Sequence, residues 1–383
     1  MSLKQTAMFV TTCSILVCAL MLGAQVPSGT TLPPTTSAPQ PTSKTAEQVY
    51  KDIQVLKGVP ADKITPTMQF MNIALGVDCD HCHLPGVYEA PNANKNMART
   101  MMKMQFDLIQ GTFEAVPALT CWTCHRGSVT PPTVPPVATG ATAIAAHQPE
   151  PERAERVTIS PQQVFAKWVQ ASGGADALNK VTTRVESGTI TIGEMKWSIQ
   201  VLTKTPRQRM SITHAPDGVS ITAFDGQKGW LGTVGRGAHE MSPEEDYAAM
   251  LDAAVAYPSH AQKLFARWRM WKPELINGHD TNVVLGSNRD QGDVKMYFDK
   301  ETGLLLRIYR PVETPIGEIP AQVDYDDYRT EGGIRLPYRW SIARPQGKFT
   351  IQIDRVQQNV PLDDARFHQP QGTVPGSIAE VPK

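Results

Sequence analysis

The sequence predicts a multidomain chain, with a mainly α first domain followed by an α+β domain built on a curved antiparallel sheet. Three observations predict it. Two copies of a five-residue cysteine and histidine motif stand among helix-patterned segments in the first third of the chain. Alternating apolar runs separated by turn residues fill most of the remainder. Two stretches rich in Pro, Ser, Thr and Ala divide the parts. At 383 residues the chain is too long for one ordinary domain. Its 37 Lys and Arg balance 37 Asp and Glu, so net charge gives no reason to expect nucleic acid or a strongly charged partner.

The chain opens with Lys4 and an apolar run over residues 7–22 that ends in Gly23-Ala24. This is the layout of a secretory signal peptide over residues 1–24, with an uncleaved anchor, and so membrane association through the N-terminus, as the second reading. Cys13 and Cys18 lie inside that segment and read as membrane-segment residues. Residues 25–45 are dominated by Pro, Ser and Thr, which cannot bury a core, and read as an extended tether.

The next domain, residues 46–130, holds the motif twice: Cys79-Asp80-His81-Cys82-His83 and Cys121-Trp122-Thr123-Cys124-His125. Each is CxxCH, the attachment signature of a c-type haem. On a helical turn, positions i, i+3 and i+4 share one face. Two thiols can therefore reach the two vinyl groups of a porphyrin while the adjoining imidazole meets its iron. Cys79, Cys82, Cys121 and Cys124 are the expected thioether anchors, His83 and His125 the expected proximal ligands, and two covalently bound haem c groups the expected cofactors. A zinc ribbon would separate its cysteine pairs by roughly 15 to 20 residues, far less than the interval from Cys82 to Cys121. A redox dithiol or a pair of disulfides needs no histidine after each pair.

Around the motifs the periodicity is helical. Thr65-Pro66 offers an N-cap and a first helical position, Met68, Met71 and Leu75 follow on one face, and Gly76 is a ready C-cap. Such a helix can fold back over the first motif, so Met68 or Met71 is a candidate sixth ligand there. Met97, Met101, Met104 and Leu108 mark a second helix, with Met102 and Phe106 beside them. A methionine stripe is usually core packing. A haem iron changes that for one residue per site, because Met/His ligation closes an iron to small molecules and raises its potential. Before Thr130 the only histidines are His81, His83 and His125, all within the motifs. His81 is expected to face solvent, and residues 84–86 and 91–94 to be loops.

Residues 49–56, 75–79, 98–104 (Ala-Arg-Thr-Met-Met-Lys-Met) and 119–127 (Leu-Thr-Cys-Trp-Thr-Cys-His-Arg-Gly) resemble the cytochrome c subunit of photosynthetic reaction centres. The resemblance covers about residues 49–132. It implies a dihaem cytochrome c domain in which a methionine on the helix before each motif ligates the iron. That transfers to Met68, with Met71 competing, and to Met101. The family's subunit carries four haems in two similar halves, and one half is present here. Its connector histidine, which ligates a haem of the other half, has no counterpart in residues 110–117. Haem binding therefore transfers more directly than docking to a reaction centre.

Residues 131–156 return to Pro, Ala and Thr and form the second linker. In residues 157–370, Ser160-Pro161 starts a helix through Val164, Phe165, Trp168 and Val169 that Gly173-Gly174 stops. Strands follow at residues 189–192, 197–201, 294–298 and 304–309, the last two joined as a hairpin, with an apparently helical segment over residues 243–271. Residues 371–383 are a tail. The pieces 224–230, 297–308, 324–329 and 333–337 resemble the outer-membrane lipoprotein-carrier-like fold, an open curved barrel with helices in its mouth. That resemblance implies an apolar ligand in the C-terminal domain, an expectation that a concave face filled by its own side chains would remove. His214, His239, His260, His279 and His368 lack metal spacing, and Asp324, Asp326 and Asp327 lack a calcium-loop glycine pattern.

The function these features predict is a periplasmic or otherwise extracytoplasmic electron carrier, with membrane anchoring as the second reading, that moves single electrons between redox partner proteins. The rival readings are a dihaem peroxidase-like enzyme with one open iron, and a module whose sheet domain binds a lipid or partner while the haems sense redox state.

Overall fold

A computed structural model describes residues 44–111, 119–134 and 158–370, apart from 217, 235, 236, 289, 290 and 346. The signal-like segment, nearly all of the first tether, most of the connector and second linker, and the tail lie outside the described residues.

The first part contains helices α1 (Ala46–Val49), α2 (Ile64–Leu75), α3 (Ala93–Gly111) and α4 (Cys121–His125). A 3-10 turn at Ala61–Lys63 runs directly into α2, so the helix starts at Ile64 with Lys63 as its cap, upstream of the expected Thr65. Gly76 closes it in the left-handed conformation, as its position suggested. The buried stripe of α2 is Ile64, Thr67, Phe70 and Ala74, with Met68, Met71 and Leu75 half-buried at its flanks. Helix α3 begins inside the expected loop, because the Asn92 side-chain oxygen accepts from the backbone N–H of Asn94 at 2.8 Å and of Lys95 at 3.3 Å. It turns Lys95, Met102 and Gln105 inward, while Met97 and Met104, expected in the core, are 60% and 46% exposed.

The second part opens with α5 (Pro161–Ala171) and α6 (Ala175–Asn179). The helix starts at Ser160-Pro161 as expected, and Ser160 caps it reciprocally with Gln163. Then come strands β1 (Thr183–Ile192), β2 (Met195–Lys204), β3 (Gln208–Ala215), β4 (Gly218–Phe224), β5 (Gly229–Thr233) and β6 (Gly237–Glu240). Helices α7 (Pro243–Val255) and α8 (Pro258–Ala261) interrupt, and the expected helical stretch ends early, since Arg267–Met270 is strand β7. The chain continues through β8 (Leu275–Ile276), β9 (His279–Asn288), β10 (Gln291–Asp299), β11 (Leu305–Tyr309), β12 (Val312–Thr314), β13 (Gly317–Ile319), β14 (Gln322–Glu331), β15 (Ile334–Arg344) and β16 (Gly347–Gln358).

The main sheet runs β6-β5-β4-β3-β2-β1-β16-β15-β14-β11-β10-β9-β7. Its pairs are antiparallel, and β1 against β16 joins the first strand of the domain to the last. Adjacent residues alternate between faces. Ile190, Val201, Met296, Phe298 and Ile353 pack with Phe165 and Trp168 of α5 and Leu251 of α7. On the other face Val185, Leu202, Met210 and Ile221 pack with Leu362 and Phe367. The helices thus fill one face with the domain's own side chains. The cavity left there, about 70 Å³, is lined by Arg184, Glu186, Arg209 and Asp252 as well as Trp168 and Tyr325. An apolar chain laid in it would face buried charge, which is unfavourable.

The two parts are not separate bodies joined by a linker. Strands β12 and β13 leave the main sheet as a two-stranded hairpin, and its Ile316 and Ile319 join Leu56, Ile64, Phe70, Ala74 and Met102 in one buried cluster. At the hairpin tip Gly317 has φ +151°, and a Cβ there would stand 2.4 Å from the Phe70 ring, so only glycine lets the hairpin lie flat on α2. Lys63 also forms an ion pair with Glu244 of α7.

Candidate functional site

Both CxxCH motifs fold as a single turn. Cys79–His81 is a 3-10 turn that the bond from His83 N–H to Cys79 O at 3.0 Å extends, and the second motif is α4 itself. Each therefore brings its two sulfurs and one imidazole to one side of a turn, as the spacing requires. All four cysteines are free; Cys79 and Cys124 are exposed, Cys82 and Cys121 half-buried. Burial pushes the Cys121 thiol up to about 11 and raises Cys82 as well, which keeps both protonated.

The histidines carry a feature that spacing alone could not reveal. His83 Nδ1 lies 2.9 Å from the Tyr88 carbonyl oxygen, and His125 Nδ1 lies 3.0 Å from that of Ser128. A carbonyl can only accept, so in each ring Nδ1 is the donor, and in the neutral ring the lone pair lies on Nε2. This is the tautomer that binds a metal through Nε2 while the other nitrogen fixes the ring. The donor set, two thiols and one Nε2 per turn, fits a thioether-linked haem. Among the described residues no group of three or more His, Cys, Asp or Glu is arranged to hold a bare metal ion.

A charged network braces the first motif. Lys95, buried on α3, donates to the carbonyls of Tyr88 at 3.0 Å and Ala90 at 2.9 Å, and pairs with Asp52 at 2.9 Å. The Tyr88 carbonyl thus serves both His83 and Lys95. Arg99 donates to Asp52 Oδ2 at 2.8 Å, and this bond, followed by those from Lys95 and Gln54, holds the Asp52 carboxyl far below the usual carboxylate range. His81 is half-buried, and Asn94 of α3 donates to its backbone carbonyl at 2.9 Å.

Each motif also meets an amide from the preceding helix. Asn72 Nδ2 lies 3.5 Å from Cys79 Sγ, and Gln105 Oε1 lies 3.5 Å from Cys121 Sγ. Neither amide stood out in the sequence. Met68 and Met71 are both half-buried against the shared core, and Met101 is half-buried on α3. The end of α2 and the turn after α4 touch through backbone: Gly127 N–H donates to Ala74 O at 2.9 Å, and the Gly127 carbonyl abuts Gly76.

Two of the other histidines and all three aspartates of β14 have charged partners. His279 pairs with Asp299 at 2.7 Å and His368 with Asp225 at 3.3 Å. The three aspartates of β14 each face an arginine: Asp324 with Arg307, Asp327 with Arg329, and Asp326 with Arg339.

Residues 21–207 match the family model described as "Photosynthetic reaction centre cytochrome C subunit". The match runs past the resemblance read from the motifs and through β2, ending just before β3. The photosynthetic reaction center cytochrome c subunit of Thermochromatium tepidum is 28% identical over 98 residues, which cover 24% of this chain and 24% of that protein. The matched stretch thus spans about a quarter of that relative. Solved structures similar to the second part include a LolA superfamily protein from Nitrosomonas europaea, with 12% identity and TM-score 0.38 over 55% of this chain and 98% of the other. Another is a DUF1329 family protein from Desulfovibrio piger, with 13% identity and TM-score 0.39 over 54% of this chain and 96% of the other.

Proposed function

We propose that the chain is an exported electron carrier with two covalently attached haem c groups, one at each CxxCH turn, that passes single electrons between redox partner proteins. The observation that carries this reading is the matched pair of histidines whose Nδ1 groups are engaged by backbone carbonyls, leaving Nε2 of His83 and His125 free beside paired thiols. When bound, the haem iron would supply one-electron chemistry between the ferrous and ferric states. The chain's own residues fix the rest. Cys79, Cys82, Cys121 and Cys124 anchor the groups, and the Tyr88 and Ser128 carbonyls orient the imidazoles. Exposed apolar side chains near the motifs in sequence, among them Tyr88 at 62% and Trp122 at 48%, are surface that a porphyrin could cover. Export fits as well, because c-type haem is attached outside the cytoplasm in bacteria.

For the sixth ligands the reading takes Met68 and Met101. Residues at i and i+4 stack on one helix face. Met68 lies one turn before Asn72, which touches Cys79, and Met101 lies one turn before Gln105, which touches Cys121. The two sites then repeat one arrangement, which supports Met68 over Met71.

Mass spectrometry of chain matured in a haem-attaching host should find two added porphyrins, and the ferric protein should have the weak near-infrared band of methionine ligation. Met68→Ala and Met101→Ala should each turn one haem high-spin, while Met71→Ala leaves both low-spin. A high-spin haem in the parent chain would favour the peroxidase-like reading, and a chain without porphyrin would end both.

A further inference from the structure

We propose that the β12–β13 hairpin of the sheet domain is a working part of the second haem site, and that Gln105 is the positioning residue through which it acts. The proposal rests on the two-haem reading above. Gln105 is 6% exposed. Its Nε2 donates to the carbonyls of Leu119 at 3.0 Å and of Ile316 at 3.1 Å, while Oε1 accepts from Cys121 Sγ at 3.5 Å. Leu119 is two residues ahead of Cys121, and Ile316 sits at the hairpin tip. One amide therefore ties together the helix carrying Met101, the chain entering the second motif, and a segment of another domain 211 residues away.

A buried amide bonded on both sides holds its neighbours because leaving any of its groups unpaired is costly. Thioether formation at Cys121 would remove the S–H that Oε1 accepts, yet both Nε2 bonds are independent of that thiol and would persist. The hairpin is held against this point by apolar burial, with Ile316 at 1% and Ile319 at 4% exposure, and by the close approach of Gly317 to Phe70. At the first motif the counterpart amide, Asn72, makes no hydrogen bond to the sheet domain among the described residues. The hydrogen-bonded coupling is accordingly one-sided: the hairpin meets α2, which carries Met68, by apolar packing, and reaches the second site by a hydrogen bond as well.

The test compares full-length parent, Gln105→Leu, Ile316→Ala, the double variant and Asn72→Leu. In haem-loaded protein, Gln105→Leu should shift one of two midpoint potentials by about threefold to tenfold in the reduction equilibrium, as expected for one net hydrogen bond. Ile316→Ala, which keeps the backbone acceptor but strips the buried side chain that seats the hairpin, should shift the same one by no more than that. The double variant should shift it no further than the larger single change, and Asn72→Leu should move the other haem. Full additivity, equal shifts at both haems, or no shift would overturn the proposal. In haem-free chain, alkylation of Cys121 should quicken toward the rate of Cys124 in either variant, with Cys79 unchanged; an unaltered Cys121 rate would also overturn it. If the parent accepts no haem, the two-haem reading fails and the alkylation result alone decides the role of the hairpin. Should Gln105→Leu not fold, Gly317→Ala lifts the hairpin from Phe70 and is read by the same alkylation.

Discussion

Replacing Gly76 by alanine isolates the backbone contact that joins the end of α2, just ahead of the first CxxCH turn, to the turn that follows the second. Gly76 has φ +66°, and a Cβ there would lie 2.2 Å from the Gly127 carbonyl oxygen and 3.0 Å from its carbon. Neither atom can rotate away, since Gly127 is itself held by its N–H bond to Ala74. The left-handed conformation alone costs an L-residue about 1–2 kcal/mol. Forcing a methyl group into a filled site adds about 1–3 kcal/mol. Gly58 supplies the control, because it has φ +79° with nothing within 4 Å of a built Cβ, so Gly58→Ala carries only the conformational cost. Urea unfolding followed by far-UV circular dichroism should place Gly76→Ala below Gly58→Ala by about 1–3 kcal/mol at unchanged m-value. Equal losses in the two variants would refute the contact, and with it the claim that the end of α2 and the turn after α4 are locked together.

Other substitutions test the charged and capped positions. The Asp52 carboxyl is held low chiefly by Arg99, so its contribution is complete above the ordinary carboxylate pKa of 3.8 and is lost as pH falls through the folded value. Asp52→Asn should therefore lower the thermal midpoint at pH 7 and make the acid limb below about pH 4 shallower; an unchanged acid limb would assign the effect elsewhere. Glu186, 1% exposed with the Arg184 Nε atom at 2.8 Å, has its pKa raised by burial first of all. For a raised carboxyl the unfolded state releases its proton first, so stability declines as pH rises above 4.5. Glu186→Gln should flatten that decline in a stability profile from pH 4 to 8, and a slope that survives the substitution would point to another group. Ser160→Ala, which removes the cap of α5, should cost about 1 kcal/mol, read as a lower urea midpoint.

What the sequence made legible was local. The CxxCH turns, the Gly76 cap, the Ser160 box and the hairpin of β10 and β11 each depend on residues within a few positions of one another, where spacing and side-chain chemistry determine the geometry. The helix faces were less legible. Periodicity marked Met97, Met101, Met104 and Leu108 as a stripe, but which stripe turns inward depends on what lies opposite, and the inward one is polar: Lys95 is satisfied by the Tyr88 and Ala90 carbonyls, Gln105 by those of Leu119 and Ile316. No hydrophobicity pattern marks a buried lysine or glutamine, because burial there is made tolerable by acceptors distant in sequence.

The hairpin is the extreme case. Nothing local marks residues 312–319 as core for a domain that begins more than two hundred residues earlier. The signals that could have found them are weak: a short apolar pair, Ile316 and Ile319, flanking a glycine at a point where the main sheet gains no strand. That placement changes the physical meaning of the second domain. The buried cluster of the cytochrome-like part has eight members, two of them from the hairpin, so removing the sheet domain would expose Phe70, Met102 and Gln105 together. At roughly 25 cal/mol per Å² of apolar surface, uncovering side chains of that size costs several kcal/mol, comparable to the whole stability of a domain of such length. The first part is therefore expected to depend on the second for its fold as well as for the geometry of one site. A chain ending at residue 134 should consequently unfold with a lower midpoint and exchange its α2 and α3 amides faster than the full chain; equal protection in both would mean that the hairpin rests on a core already complete without it.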